Sequence, residues 1–131
     1  MKKISLSLIA LLILAAFSVQ AQTKKESHAA MKGYLIDKMC GSTMAKKSPD
    51  QAMASAAKHT KVCAMEDGCA ASGYGLMMNG KWTAFDDAGN KKAAEYLQKT
   101  TSEDHLLVAV AGTRTADKIA VVSIKAEKEK K

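Results

Sequence analysis

Residues 74–85 have the sequence YGLMMNGKWTAF, and this stretch decides the fold class. Its centre, Asn79-Gly80, suits a two-residue turn in which both residues adopt positive φ. Apolar and aromatic residues flank the turn on both sides, as half-buried strands require. The stretch therefore predicts a β-hairpin with strands at residues 74–78 and 81–85.

The chain on the C-terminal side of the hairpin predicts one helix and two more strands. Asn90 can cap a helix that runs to Lys99. Residues 106–111 are strongly apolar, and residues 118–124 are apolar at nearly every position. Both segments have the length and composition of strands.

The chain on the N-terminal side predicts a first strand at residues 31–36 and a helical insert over residues 40–70. A Ser-Pro pair favours a helix start at residue 48, and the alanine-rich run after it has high helix propensity. We expect one continuous helix from residue 48 to about residue 65 or 67. Gly68 is expected to end it in the left-handed conformation.

Without the insert, the elements follow the order β-β-β-α-β-β, which is the order of an OB-type five-stranded barrel. The predicted fold is α+β and mainly β: a small OB-like barrel with a Cys/His-bearing helical insert between strands 1 and 2. The single domain is expected to span residues 31–125, followed by a charged tail over residues 126–131.

The first 21 residues have the layout of a secretory signal peptide. Two lysines precede an apolar run over residues 4–17, and Val19 and Ala21 occupy the positions that signal peptidase recognises. The run has about 14 residues, against roughly 20 for a membrane-spanning helix. We expect cleavage after Ala21, a flexible leader over residues 22–30, a periplasmic or secreted location, and no stable membrane span after cleavage.

The charge and the aromatic content argue against a nucleic-acid partner. Cleavage would remove 21 of 131 residues and two of 20 basic residues, which leaves 110 residues and a net charge of +5 against 13 acids. Much of this excess lies at Lys24-Lys25 and in residues 125–131. A nucleic-acid surface instead interleaves basic and exposed aromatic residues. The expected partners are a metal ion or an envelope protein.

All three cysteines and one histidine lie within one stretch of 30 residues, from residue 40 to residue 69. Two of these residues, His59 and Cys63, are four positions apart, so a continuous helix would place both on one face. One imidazole and three thiolates form a tetrahedral set that Zn(II) accepts, and thiolates also suit Cu(I). The predicted metal ligands are Cys40, His59, Cys63 and Cys69.

Three nearby residues are candidates for supporting roles. Asp37 precedes Cys40 by three residues and could hydrogen-bond a ligand, with turn formation as the alternative role. Met44 and Met65 could supply thioethers to copper, with packing as the alternative.

A disulfide is the alternative to a metal site. Cysteines of exported proteins normally oxidise, and three cysteines allow one bridge and one free thiol. The pairing among Cys40, Cys63 and Cys69 stays open at this point. A redox-active thiol is a third alternative, which would need a paired and activated cysteine. Because the sequence contains no complete catalytic motif, we expect a protein that is not an enzyme.

The opening, middle and end of the chain also form a pattern. Residues 33–41 (GYLIDKMCG) fit G-[WY]-[LIV]-x-D-x-x-C-G, and the insert follows with H…C…C. Residues 108–113 (VAVAGT) and 119–124 (IAVVSI) complete it. In these features the chain resembles a group of small exported bacterial proteins of unassigned function with an OB-like C-terminal half. The resemblance implies the same site residues and brings no activity.

These observations lead to three hypotheses. The first is an exported, non-enzymatic binding protein with a Cys/His metal site for Zn(II) or Cu(I), in which the metal joins the insert to the barrel. The second is a disulfide-stapled structural or interaction module of the cell envelope. The third is a thiol redox protein.

Overall fold

The computed structural model describes residues 28–128, which form five strands and five helices. The strands are β1 (Ala30–Asp37), β2 (Tyr74–Met78), β3 (Lys81–Phe85), β4 (Leu107–Arg114) and β5 (Lys118–Ala126). The helices are α1 (Lys38–Met44), α2 (Pro49–Ala57), α3 (Lys61–Met65), α4 (Asp67–Ser72) and α5 (Asp87–Lys99). Among these residues, no helix combines the length and the apolarity that crossing a membrane requires.

Several predictions for the two ends of the chain concern residues that the structure does not describe. The expected signal peptide, residues 22–27 of the expected leader and the last three residues of the expected tail lie outside the described residues. At the inner limits of these segments, Ala30 is the first residue of β1 and Ala126 is the last residue of β5. The strands therefore extend slightly beyond the domain limits that the sequence suggested.

The five strands form one mixed sheet with the order β1-β2-β3-β5-β4. β1 pairs antiparallel with β2 on one edge and with β4 on the other. The pairs β2–β3 and β4–β5 are antiparallel, and β3–β5 is parallel over two residue pairs. Because β1 has a partner on each edge, the strand order returns to its start. The prediction of a small mixed domain with a five-stranded sheet and helices is confirmed.

The β2–β3 hairpin is confirmed with both of its predicted strand boundaries. Asn79 has φ 50° and Gly80 has φ 76°, as a turn with two positive φ values requires. A Cβ at Gly80 would overlap the backbone of Pro49, so the turn lies directly against the start of α2. The hairpin turn thus also fixes the position of the insert.

Helix α5 begins four residues earlier than the sequence suggested. Asp86 caps it, because its Oδ1 accepts the Gly89 N–H at 2.8 Å. The same oxygen accepts the Val121 N–H at 3.2 Å and so ties the helix start to β5. Asn90, the predicted cap, instead accepts the Tyr74 N–H at 2.7 Å. Contacts of Asp86 with β5 and of Asn90 with β2 therefore determine which of the two residues caps α5.

The insert contains four helices of five to nine residues, and the prediction of one long helix was wrong. Asp37 ends β1 and caps α1 through its side chain. Thr60 interrupts the predicted helix, because its backbone is extended and its hydroxyl accepts the Cys63 N–H at 3.2 Å. Gly68 lies within α4, and Gly73, with φ 89°, follows its end.

Two apolar clusters hold the domain together. The larger cluster combines residues of all five strands with α5, and its largest members are Leu35, Tyr74, Leu76, Phe85, Leu97, Leu106, Val108, Val110, Ile119 and Val121. The second cluster packs β1 and β2 against α2, and its members are Tyr34, Ile36, Ala52, Ala56 and Met77. Neighbouring residues of β1 enter different clusters because side chains alternate across a strand. The insert therefore covers one face of the sheet.

Candidate metal centre

The insert brings the three thiols together at the end of β1. Cys40 lies in α1, Cys63 in α3 and Cys69 in α4. Together with Asp37, the last residue of β1, they place three sulfur atoms and one carboxylate oxygen within 4.8 Å of one another. The Cys40 and Cys63 Sγ atoms are 3.8 Å apart. We call Asp37, Cys40, Cys63 and Cys69 the four-ligand group.

These separations fit a tetrahedral metal site. Two sulfurs that each lie about 2.3 Å from one zinc ion at the tetrahedral angle are about 3.8 Å apart. The Cys40–Cys63 separation of 3.8 Å matches this edge. No two donor atoms of the group are more than 4.8 Å apart, so movements of about 1 Å would bring the others to a comparable geometry. The four-ligand group can therefore hold a metal ion.

The carboxylate of Asp37 is fully buried. Its Oδ1 accepts the Cys40 N–H at 3.0 Å. Within the described part of the chain, its Oδ2 has no hydrogen-bond partner. A buried polar atom without a partner costs about 1–3 kcal/mol, and more when it is charged. A metal ion bound by the three thiolates would give this oxygen a partner, so the donor set fits such an ion.

His59 lies beside Asp37, in the loop between α2 and α3. Its Nε2 is 3.0 Å from Asp37 Oδ2, and its side chain is 3% exposed. The two atoms are at ion-pair distance, but the contact lacks hydrogen-bond geometry, and neither ring nitrogen has a hydrogen-bond partner among the described residues. Burial lowers the pKa of His59 below 6.5, although Asp37 acts in the opposite direction. We therefore treat His59 as a neutral imidazole at neutral pH.

Three of the four predicted ligands meet in the four-ligand group, and His59 does not belong to it. Asp37, which the sequence suggested as a supporting residue, takes that place. The helix break at Thr60 is the reason, because His59 and Cys63 no longer share one helix face. The sequence signal that could have identified Asp37 as a member of the group was its position three residues before Cys40. An N-cap side chain that accepts the N–H of Cys40 is already near the thiol of that residue.

The two methionines named from the sequence lie in different environments. Met44 is half-buried and packs against the second apolar cluster, which matches the packing role that the sequence also allowed. Met65 is exposed at the end of α3. A role of either thioether in copper binding stays a prediction.

All three cysteines are free thiols. The Cys40–Cys63 separation of 3.8 Å is well above the S–S bond length of about 2.05 Å, so no disulfide is formed. Burial and the nearby Asp37 carboxylate raise the pKa of Cys40 to about 12 and that of Cys69 to about 11. Both thiols therefore stay protonated at neutral pH without a metal. An activated redox thiol would need the opposite shift.

The chain has also been compared with known proteins. Comparisons with protein-family models, with curated proteins and with solved structures give no match. The features that bear on function are therefore those of the chain itself. Chief among them are the three thiols and the buried carboxylate, whose donor atoms lie close together.

Proposed function

We propose that this chain is an exported, non-enzymatic metal-binding protein that holds Zn(II) or Cu(I) with Asp37, Cys40, Cys63 and Cys69. The observation that carries the proposal is the convergence of these four donor atoms within 4.8 Å, with the buried Asp37 Oδ2 lacking a hydrogen bond from any described residue. Thiolate and carboxylate are donors that zinc accepts, and thiolates also suit Cu(I). Four protein ligands leave no open position, which is the arrangement of structural zinc sites.

The proposed metal has a structural role. Helices α1, α3 and α4 have seven, five and six residues. Isolated helices of this length are unstable in water, so they depend on tertiary contacts. A bound ion joins the three helices to the end of β1 and supplies folding free energy. In this role His59, whose Nε2 lies 3.0 Å from Asp37 Oδ2, packs against the carboxylate and limits its movement.

The proposal includes an OB-type barrel and an exported protein. The strand order β1-β2-β3-β5-β4 and the helix between β3 and β4 support the OB-type assignment. Export is supported by the signal-peptide pattern of the first 21 residues and by the resemblance to small exported bacterial proteins. In this compartment the protein would meet either metal outside the reducing cytosol.

Native mass spectrometry tests the metal proposal. The reduced protein is mixed with one equivalent of Zn(II) or Cu(I), and its mass is compared under native and denaturing conditions. We expect one metal ion per chain in the native spectrum, lost on denaturation. The variant Cys69→Ser should retain less metal than the control Asp104→Asn, which changes an exposed acid outside the group. A reduced wild-type protein that retains no metal would refute the proposal.

A disulfide-stapled envelope module is the second candidate, and one observation favours it. Cys40 and Cys63 are the two partly exposed cysteines, and their sulfurs are the pair at 3.8 Å, whereas Cys69 is buried. Oxidation would therefore join α1 to α3 and leave Cys69 as the free thiol. Peptide mapping of protein isolated without reductant would then show a Cys40–Cys63 bridge and a mass lower by two hydrogen atoms, which pass to the oxidant. A bridge that involves Cys69 would contradict this pairing.

A further inference from the structure

A groove lies between the C-terminal half of α5 and the second half of β5. Its volume is about 560 Å³, within the range of roughly 300–1,000 Å³ that ligand pockets occupy. Lys92, Tyr96 and Lys99 line one side, and Val122 and Ile124 line the other. None of these residues belongs to the four-ligand group, so the groove is independent of the metal proposal.

Along this groove, one edge of β5 has no strand beside it within residues 28–128. On its other edge, β5 pairs with β4 from Ile119 to Ala126. On the groove side, it pairs with β3 only at Lys118 and Ile119, and the Asp86 side chain accepts the Val121 N–H. Over residues 122–126, no strand of the described chain lies on that edge. An unpaired edge offers backbone N–H and C=O groups to an added strand.

The side chains at the groove indicate what such a strand would carry. Val122 is 52% exposed, so its side chain is available to pack against an apolar residue of an added strand. Lys92 and Lys99 line the groove against a single acid, Glu95, and Lys125 is exposed on β5 itself. A second copy of this edge would bring lysines close to lysines, which disfavours pairing between copies. Carboxylates on the added strand would be complementary.

We propose that the groove binds an extended acidic peptide segment, which adds to β5 as a further strand. Its backbone pairs with residues 122–126, its acidic side chains approach Lys92 and Lys99, and one apolar side chain packs on Val122. Five residues of strand span roughly 17 Å, so a segment of about six residues fills the edge. For an exported protein, such a segment belongs to another envelope protein.

Fluorescence anisotropy with a labelled peptide of the sequence EVEVEV tests the proposal on the purified protein. We expect saturable binding that weakens at least about tenfold when the peptide is N-methylated at every residue, since strand addition requires its N–H groups. This comparison changes only the peptide and does not depend on the folding of any variant. In ¹⁵N-labelled protein, the amide resonances of residues 121–126 should shift on titration.

The lysines are tested by charge reversal. The double variant Lys92→Glu/Lys99→Glu should weaken binding of EVEVEV at least about tenfold. The control Lys47→Glu/Lys58→Glu makes the same change beside α2 and should leave binding unchanged. The peptide KVKVKV should bind more weakly than EVEVEV.

Four results would overturn the proposal. They are absence of saturable binding up to about 1 mM, binding that survives N-methylation, resonance shifts that lie elsewhere, and equal weakening by both double variants. Sedimentation of the protein without peptide provides a further check. A dimer whose residues 121–126 are protected from hydrogen exchange would assign the edge to a second copy instead. A metal-free protein that still binds EVEVEV would leave this inference intact even if the metal proposal fails.

Discussion

Replacing Asp37 with Asn separates the two roles that this side chain has in the structure. Its Oδ1 caps α1 by accepting the Cys40 N–H at 3.0 Å, and an Asn side-chain oxygen caps a helix equally well. Its Oδ2 is buried without a hydrogen-bond partner among the described residues, beside the three thiols. The variant Asp37→Asn therefore keeps the cap and removes the proposed anionic ligand.

The expected effect depends on the metal. Without metal, the variant should be at least as stable as the wild type, because a neutral amide removes a buried carboxylate and can donate to His59 Nε2. With zinc, a weakened ligand set lowers affinity by at least about 10- to 100-fold, or about 1.4–2.7 kcal/mol. For about 100 residues, 1 kcal/mol shifts Tm by about 4–8 °C. The rise in Tm caused by zinc should therefore shrink by about 5–20 °C.

Thermal unfolding followed by circular dichroism measures this difference. Each protein is kept reduced and is melted once with a chelator and once with excess zinc. The matched control is Asp86→Asn, because Asp86 also caps a helix, through a 2.8 Å bond to the Gly89 N–H, and is not a member of the four-ligand group. The control should show the full wild-type shift in Tm on adding zinc.

Two results would refute this reasoning. A full zinc-induced shift in Asp37→Asn would show that the carboxylate is not a ligand, which would return His59 to that role. An equal loss of the shift in both variants would show that capping, and not ligation, controls the response.

Two further predictions follow from the thiols and the glycines. Because the pKa values of Cys40 and Cys69 are raised, metal must displace their protons, and apparent affinity should rise at least about tenfold per pH unit between about pH 6 and 8. Competition with a chelator measures this, and an affinity independent of pH would contradict it. Gly41→Ala should lower the free energy of unfolding by about 1–3 kcal/mol, since its Cβ would overlap the Trp82 ring. Gly68→Ala, whose Cβ would meet no atom closer than 4.0 Å, should be neutral or stabilise by up to about 1 kcal/mol. Urea unfolding compares the two variants, and equal losses would show that the packing argument is wrong.

The strands were predictable because their signals are local. Asn79-Gly80 specifies its turn through the conformations that these two residues allow, so the hairpin could be placed to the residue. The start of α5 was not predictable in this way. Asp86 and Asn90 can both cap a helix, and the choice between them depends on contacts with Val121 and Tyr74 in different strands. A sequence pattern does not contain those contacts.

The candidate site was predictable in part for the same reason. Three cysteines within one stretch are rare enough to identify the insert as the chemical centre of the chain. The fourth member of the group depended on whether the helix continues through Thr60. The hydroxyl of that residue instead caps a new helix, which begins at Lys61. This single backbone break places Asp37 instead of His59 among the candidate ligands. Helix propensity alone favoured the continuous helix.

The position of the insert affects how readily proteases can degrade the protein. The segment that carries the thiols also shields Tyr34, Ile36 and Met77 from water. Under the proposed function, a metal-starved molecule would hold α1, α3 and α4 less firmly, and this apolar surface would open more often. Proteases cleave such opened forms first. The abundance of the protein would then follow the supply of its ion without any dedicated sensor.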